Sequence, residues 1–235
     1  MDIQENIDLW NKQLEQATAE DIIAFFTSRF REKIALSSSM GLEDQVLTSM
    51  LVAQSPETGI FTLDTARLFP ETYDLIDLTS KKYKKPIKVF FPDPAEVEEM
   101  VAEKGINLFY DSIGNRKLCC GIRKIKPLQR ALKDLDAWIT GLRRDQSVTR
   151  TEMNIVEWDG NNGLIKVNPL INWTEEDVWK YVNDNNIPFN KLHKKGFASI
   201  GCQPCTHAIA QGEDLRAGRW WWENPETKEC GLHAR

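Results

Sequence analysis

One pattern of segments constrains the fold more than any other feature of this sequence. Four short apolar runs, beginning at residues 34, 60, 87 and 137, each lead into a polar loop, and stretches with helical periodicity separate them. Strands that alternate with helices through short loops are typical of a parallel sheet covered by helices on both faces. The sequence therefore predicts an α/β fold.

The regions on either side of this pattern differ from it. Residues 1–31 have the apolar spacing of one or two amphipathic helices, and Thr18 with Asp21 forms a capping-box pattern. Residues 155–170 predict a hairpin, and Thr174 with Asp177 caps a further helix. From residue 185 the chain is rich in loops. We expect one domain spanning residues 1–235, with N-terminal helices over about 1–30 and a C-terminal segment and mobile tail over about 206–235.

Composition excludes several classes of protein. The chain has 235 residues, 41% of them hydrophobic and 28% charged, which is enough apolar material for a sizeable core. A formal net charge of −5 argues against general affinity for nucleic acid. The polar start and the absence of a long apolar run predict neither a signal peptide nor a membrane span. We expect a cytoplasmic protein whose thiols stay reduced.

Three polar loops follow strands of the predicted sheet, at residues 37–41, 64–67 and 143–150. Ligands of open parallel sheets bind at the carboxyl ends of the strands, so these loops are candidates for holding a nucleotide-like anion. Each loop also has a simpler interpretation, in which the serines cap a helix, the aspartate forms a turn and the arginines are solvated. The candidate substrate-binding residues here are Ser37, Ser38, Ser39, Gly41, Asp64, Arg67, Arg143, Arg144 and Arg150.

Four of the five cysteines form two tight pairs, Cys119 with Cys120 and Cys202 with Cys205. In a reducing compartment such pairs indicate metal ligands or redox groups. Adjacent cysteines suit a single zinc ion poorly, because their side chains diverge, whereas each can reach a different iron of a cluster. The pairs therefore favour a four-iron cluster over zinc.

Basic residues surround the first cysteine pair. Lys124, four residues beyond Cys120, is expected on the same helix face. These cations either offset the negative charge of a thiolate-bound cluster or form an exposed basic helix face. The basic residues are Arg116, Lys117, Arg123, Lys124 and Lys126.

The fifth cysteine, Cys230, lies five residues from the end and belongs to neither pair. Gly231 follows it and His233 is nearby. An unpaired cysteine in a terminal segment is poor core material, so it is either incidental or chemically active.

Together, the stretches SSSMGLED, FTLDTARLFPET, KLCCGIRK, GLRRDQSVTR, GCQPCT and ECGLH resemble those of the assimilatory adenylyl-sulfate reductases, the iron–sulfur branch of the APS/PAPS reductase family. The resemblance runs from about residue 30 to the end. It implies a Rossmann-like, adenine nucleotide α-hydrolase-like fold and the thioredoxin-dependent reduction of adenosine 5′-phosphosulfate (APS) to sulfite and AMP. It also implies a homo-oligomer, a dimer or a tetramer.

The resemblance further implies roles for individual residues. Cys230 would be the nucleophile that becomes S-sulfonated, and thioredoxin or a glutaredoxin-like donor would then release sulfite. His233 would close over the site with the tail, and Lys124 would lie between cluster and substrate. Arg216 and Arg219 would reach the phosphosulfate. The [4Fe-4S] ligands would be Cys119, Cys120, Cys202 and Cys205.

Three other functions remain open from the sequence. The first is reduction of the 3′-phosphorylated substrate, PAPS, alone or together with APS. The second is a non-catalytic iron–sulfur redox sensor that binds a nucleotide, in which Cys230 would be dispensable. The third is ATP-dependent sulfur transfer to tRNA. Residues 38–44 depart from the SGGxDS-like loop of the related ATP pyrophosphatases, and this departure and the acidic net charge count against the third.

Overall fold

The computed structural model describes residues 2–146, 152–210 and 212–224. Helices and strands alternate through much of this part of the chain, as the sequence predicts. The helices are α1 Ile3–Gln13, α2 Ala19–Phe30, α3 Leu42–Gln54, α4 Pro70–Tyr83, α5 Pro94–Lys104, α6 Ile113–Cys120, α7 Lys126–Leu132 and α8 Glu175–Asp184. The strands are β1 Ile34–Ser37, β2 Gly59–Leu63, β3 Lys88–Phe90, β4 Ala137–Ile139, β5 Val156–Asp159 and β6 Leu164–Val167.

The strands form one six-stranded sheet in the order β3-β2-β1-β4-β6-β5. Strand β1 runs parallel to both β2 and β4, so that Leu36 pairs with Ile60 on one side and Ile139 on the other. Strand β6 is parallel to β4, and β5, which precedes β6 in the chain, pairs with it in antiparallel orientation at the edge of the sheet. The predictions of a mostly parallel sheet and of a hairpin over residues 155–170 are confirmed.

Both capping boxes predicted from the sequence are present. Thr18 Oγ1 accepts a hydrogen bond from the Asp21 backbone N–H, and the Asp21 carboxylate accepts one from the Thr18 N–H. Thr174 and Asp177 exchange the same two bonds at the start of α8. These bonds satisfy amides that have no partner within the helix, and they fix where α2 and α8 begin.

The helical stretch between residue 113 and β4 is not one regular α-helix. Helix α6 continues into a π-helical turn at Gly121–Ile125, and α7 then ends at Leu132. A π turn is rare and is frequently found at functional sites. Here it begins directly after the first cysteine pair.

The chain divides into two compact units. The first comprises Met1–Thr62, Asp74–Lys88 and Asp134–Asn190, and the second comprises Leu63–Tyr73, Val89–Lys133 and Lys191–Arg235. The one-domain organisation expected from the sequence stays a prediction. Within the described residues, no helix is long and apolar enough to cross a membrane.

Each unit has its own hydrophobic cluster. In the first unit, apolar side chains of β1, β4 and β6 pack with α1, α2, α3 and α8. The second cluster is smaller and includes Phe109, Ile122, Cys205 and Trp220, with further cysteines packed against it. Cysteine therefore takes part in the core of the second unit.

Candidate active site

Both cysteine pairs line a single pocket of the second unit. The pocket spans about 330 Å³ of empty space, part of it open to solvent, and cationic side chains share its walls with the thiols. The sequence separates the two pairs by 82 residues, counted from Cys120 to Cys202. The pocket is lined by Arg67, Phe109, Arg116, Cys119, Cys120, Arg123, Lys124, Cys202, Pro204 and Cys205.

The first pair is placed by α6 and the π turn. Ser112 caps α6 by accepting a hydrogen bond from the Asn115 N–H at 3.1 Å, and the two cysteines are the last residues of the helix. The wide turn that follows keeps Lys124 on the pocket side with Cys120, as the sequence predicts. This helical segment thus contributes two thiols, Cys119 and Cys120, and three cations, Arg116, Arg123 and Lys124, to the pocket.

The second pair lies on a short 3₁₀ turn, Gln203–Cys205. The Cys205 N–H donates to the Cys202 carbonyl at 3.0 Å, and Thr206 Oγ1 donates to the same carbonyl at 2.9 Å. Thr65 Oγ1 lies 3.2 Å from Cys202 Sγ. These bonds fix the turn, so the direction of both thiols is determined by backbone geometry.

None of these four cysteines takes part in a disulfide among the described residues. Burial raises the pKa of the Cys205 thiol to about 12, and the neighbouring Cys202 adds to the rise. Burial is also the main reason that the pKa of Cys119 lies above its ordinary value. Isolated thiols of this kind are protonated at neutral pH and react slowly, whereas metal binding displaces the proton.

All four thiols of the two pairs line one pocket. Among residues 2–146, 152–210 and 212–224, no three His, Cys, Asp or Glu side chains are grouped as ligands of one metal ion. Four cysteines are the usual ligand set of a [4Fe–4S] cluster, so the residues fit the group that the sequence predicts.

Trp220 supports this interpretation. Its ring is 1% exposed, and its indole N–H has no hydrogen-bond partner within the described part of the chain. Its backbone N–H donates to the Cys205 carbonyl at 3.2 Å, so the residue lies beside the second cysteine pair. A buried donor without an acceptor is costly. An acceptor from outside the described residues would remove that cost.

Three arginines surround the Trp220 ring. The guanidinium carbons of Arg116 and Arg219 lie 4.8 Å from its centroid, and that of Arg216 lies 5.9 Å away. The structure thus brings Arg216 and Arg219, both predicted to reach the phosphosulfate, to the same aromatic ring. Contacts of cations with an aromatic face hold the guanidinium groups in place.

Arg219 depends on a glycine for its position. Its Nη1 donates to Ser199 Oγ at 3.2 Å, and the guanidinium lies against Gly201. A Cβ on Gly201 would lie only 2.4 Å from Arg219 Nη2. The residue before Cys202 must therefore lack a side chain for the arginine to lie there.

The basic residues near the first cysteine pair separate into two groups. Arg116 and Arg123 are buried, and Arg123 Nη1 donates to the Thr65 carbonyl at 2.7 Å. Lys117 and Lys126 are exposed. The interpretation as an exposed basic face therefore holds for Lys117 and Lys126, and compensation of a cluster's charge by the buried arginines stays a prediction.

Two residues of the loop at 64–67 have unlike surroundings. The Asp64 carboxylate is buried and accepts bonds from the Ala66 N–H and the Tyr73 hydroxyl, as a turn residue does. Burial and Asp64 raise the pKa of Tyr73 to about 12. Arg67 instead lines the cysteine pocket and donates to the Ile106 carbonyl and Asn107 Oδ1.

The serine loop lies in the first unit, and much of its hydrogen-bonding capacity is used internally. The Ser38 N–H donates to the Phe61 carbonyl at 2.8 Å, and the Met40 N–H donates to Ser38 Oγ at 3.1 Å. The Ser39 N–H and hydroxyl both donate to Asp44 Oδ2, at 2.6 and 2.7 Å. The Asp44 carboxylate, on α3, thus accepts the two hydrogen bonds that Ser39 would otherwise donate to an external anion. Roles of Ser37, Ser38, Ser39 and Gly41 in substrate binding stay predictions.

The arginine loop is also anchored within the first unit. Arg143 is buried, and its Nε donates to Glu43 Oε1 at 2.8 Å. Arg144 Nε donates to the Met153 carbonyl at 2.8 Å, and its Nη1 contacts Asn172 Oδ1. Arg150, Cys230 and His233 lie outside the described residues, and their roles stay predictions.

Sequence reasoning missed one buried ion pair of the second unit. Arg116 Nε donates to Glu223 Oε1 at 2.8 Å and its Nη2 to Oε2 at 2.9 Å, with side-chain exposures of 1% and 3%. The partners are 107 residues apart. Arg116 was one of five basic residues near the cysteines, and the only signal that could have selected it was its place three residues before Cys119.

Comparisons with known proteins were made for the whole chain. Residues 33–208 match the phosphoadenosine phosphosulfate reductase domain. The chain is 50% identical over 204 residues to the adenosine 5′-phosphosulfate reductase of Allochromatium vinosum, covering 87% of this chain and 80% of that protein. It is 48% identical over 198 residues to the protein of that name from Neisseria meningitidis serogroup B, covering 84% and 80%.

Solved structures show the same fold. Phosphoadenylyl-sulfate reductase from Candida auris, in a phosphate complex, aligns with a TM-score of 0.77 and 28% identity over 89% of this chain and 98% of that one. The FMN adenylyltransferase of Candida glabrata aligns with a TM-score of 0.58 over 90% of this chain and 72% of that one. Its identity of 16% shows likeness of fold alone.

Proposed function

The chain belongs to the phosphoadenosine phosphosulfate reductase family, and from this premise we propose that it reduces APS to sulfite and AMP in assimilatory sulfate reduction. Relatives about 50% identical over most of the chain bear the name of that activity. The observation that carries the proposal is the pocket of the second unit, which is lined by four thiols and four cationic side chains. It supplies both a ligand set and positive charge for an anionic substrate.

The reaction proposed has two thiol steps. The Cys230 thiolate attacks the sulfur of APS, an S–S bond forms, the S–O bond to the phosphate breaks, and AMP leaves. A donor thiolate then attacks the Cys230 sulfur, sulfite leaves with the electron pair, and a mixed disulfide remains. The second thiol of the donor resolves it, so the two electrons that reduce the sulfur come from one dithiol.

Charge is the main obstacle to the first step, because both the thiolate and the sulfonate are negative. Lys124 at the pocket and the two arginines around Trp220, Arg216 and Arg219, would offset this repulsion and lower the pKa of an approaching thiol. When bound, a [4Fe–4S] cluster held by the four pocket cysteines would supply fixed charge and rigidity beside these cations. The donor's two thiols already account for the electrons.

Further roles belong to the same proposal. The serine loop, Asp64, Arg143, Arg144 and Arg150 would hold the nucleotide, and His233 would assist Cys230. We propose a thioredoxin or glutaredoxin-like dithiol protein as donor, a cytoplasmic location and a homo-oligomer.

Reduction of PAPS is the second candidate. The solved structure with a TM-score of 0.77 is that of a phosphoadenylyl-sulfate reductase, which favours this alternative. The relatives with the higher sequence identity are named for APS, and this favours the first candidate.

Mass spectrometry would test the proposal. The protein is incubated anaerobically with APS, or separately with PAPS, without any reductant, and is then digested with trypsin. Cleavage after Lys228 releases ECGLHAR, whose only cysteine is Cys230. We expect one sulfonate on this peptide with APS and none in Cys230→Ser. No adduct from either nucleotide, in protein with full iron content, contradicts the mechanism and favours the sensor.

A further inference from the structure

We propose that Arg116 and Glu223 are a positioning pair that anchors the root of the C-terminal segment to the cysteine helix and thereby sets the distance over which Cys230 must reach. The inference rests on the proposed function, because it takes Cys230 as the nucleophile. Arg116 also lines the pocket, whereas Glu223 is assigned no part in the chemistry itself.

The contact is of the kind that fixes geometry. Arg116 and Glu223 share two parallel hydrogen bonds of 2.8 and 2.9 Å, so the carboxylate is held in both position and orientation. Both side chains are almost completely buried, at 1% and 3% exposure. A buried pair that loses one partner leaves the other charge uncompensated. The pair therefore holds its two segments together with a large penalty for separation.

The two segments are those that matter for the reaction. Arg116 lies on α6 three residues before Cys119, and it lines the pocket itself. Glu223 lies near the end of the described chain, and its N–H donates to the Trp220 carbonyl at 2.8 Å. The Arg116 guanidinium also lies over the Trp220 ring at 4.8 Å. One arginine therefore connects the cysteine helix to two residues at the root of the tail.

Chain length makes this anchor consequential. Cys230 follows Glu223 by seven residues, a span of at most roughly 25 Å when fully extended. An anchor beside the pocket keeps the thiol within that radius and converts its attack into an intramolecular event at high effective concentration. If the root separates from α6, only the fraction of molecules with the root bound reacts at the original rate.

The test compares the tethered reaction with an untethered one. In the first, Cys230 sulfonation by APS is followed in a single turnover without reductant. In the second, Cys230→Ser protein receives the peptide ECGLHAR, which carries residues 229–235, and sulfonation of the peptide is followed. Each reaction is run with and without Glu223→Gln, which keeps the shape of the side chain and removes its charge. Iron content is measured in every sample.

Glu223→Gln is expected to slow the tethered reaction by about tenfold and to leave the peptide reaction within about twofold. Hydrogen exchange without substrate is expected to accelerate at the backbone amides of Trp220 and Glu223. Glu96→Gln, which removes the ion pair with Lys126 on the same unit, is the matched control and should change neither rate. Glu223→Asp keeps the buried charge but loses the two-bond geometry, because its side chain is shorter, and it serves if Glu223→Gln does not fold.

Each contrary result has a distinct meaning. Equal losses in both reactions would show that the pair merely supports the pocket, and an unchanged tethered rate would show that it positions nothing; either overturns the proposal. Absence of sulfonation in the unmutated protein is a failure of the proposed function, seen in that sample alone. Unchanged hydrogen exchange at the amides of Trp220 and Glu223 in Glu223→Gln would contradict the anchoring role of the pair, whatever the two rates are.

Discussion

The serine loop of the first unit and the cysteine pocket of the second were both expected to bind anionic groups. They differ in whether their hydrogen-bond donors have acceptors within the chain. In the serine loop, the backbone N–H groups of Ser38, Ser39 and Met40 all donate to acceptors of the chain itself. Around the pocket, the indole N–H of Trp220 and Nε of Arg219 are buried without a partner in the part of the chain described.

This difference indicates which region depends on a ligand. A loop whose donors are satisfied keeps its shape whether or not a ligand is present, because nothing is gained by rearranging it. Buried donors without acceptors are costly, and they persist where function or a missing partner explains them. We therefore expect the pocket to change when the proposed cluster binds and the serine loop to remain as it is.

The largest effect should come from removing a pocket cysteine. Cys202→Ser is expected to lose bound iron. APS turnover and Cys230 sulfonation should both fall by a factor of about 1,000, because the variant loses a cluster ligand and, with the cluster, the charge that it supplies beside the cations. Iron analysis and the sulfonation assay measure the two effects. Cys230→Ser should lose sulfonation but retain its iron. Normal sulfonation in iron-free protein would break the comparison, since the pocket would then not depend on its ligand.

The second effect concerns the internal anion of the serine loop. Burial raises the pKa of Asp44 from 3.8 to about 6, against the opposing effect of its bonds from Ser39. A carboxyl group with a raised pKa in the folded state stabilises the fold while protonated, and that stability is lost as pH rises from about 4 to about 6. At pH 7 the ionised group costs on the order of 3 kcal/mol relative to its protonated form.

Asp44→Asn should remove this dependence. The variant is expected to be more stable than the unmutated protein at pH 7, by up to about 3 kcal/mol, and the difference should vanish below pH 4. Denaturant unfolding at a series of pH values measures it. A stability difference that does not change with pH would show that Asp44 is not the group that titrates.

The third and smallest effect sharpens the description of the pocket. Gly201→Ala would put a methyl group at the place of the Arg219 guanidinium, and APS binding is expected to weaken by about tenfold as the arginine moves. Calorimetry in the Cys230→Ser background measures binding without reaction. Gly114→Ala is the control on the same unit, since a Cβ there meets only an ordinary contact at 3.8 Å. Equal affinities in the two variants would mean that Arg219 does not contact the substrate.

Local signals in the sequence predicted local structure well. The structure confirms the strand at residue 34 and the capping boxes at Thr18 and Thr174, each of which depends on residues close together in the sequence. The cysteine pairs were grouped from chemistry and resemblance, and the structure places them in one pocket.

Contacts between distant parts of the sequence could not be predicted in the same way. Arg67 follows a strand and was expected among nucleotide-binding loops, but it lies at the cysteine pocket, held by residues about 40 positions later. The partner of Arg116 is 107 residues away, and any of several acidic residues matched it equally in sequence. The π turn was missed because its hydrogen bonds shift by one residue without changing the apolar pattern.

The make-up of the second unit has a consequence for how the protein is synthesised. This unit is assembled from three stretches of chain, and the last of them begins at Lys191. A ribosome adds about 5–20 residues per second, so Cys119 and Cys120 leave it roughly 4–16 s before the 82 residues that lead to Cys202 are complete. During that interval the first two thiols have no partners from the second pair. Insertion of a cofactor held by all four must wait until Cys205 has been synthesised, and the first two thiols are most exposed to oxidants before then.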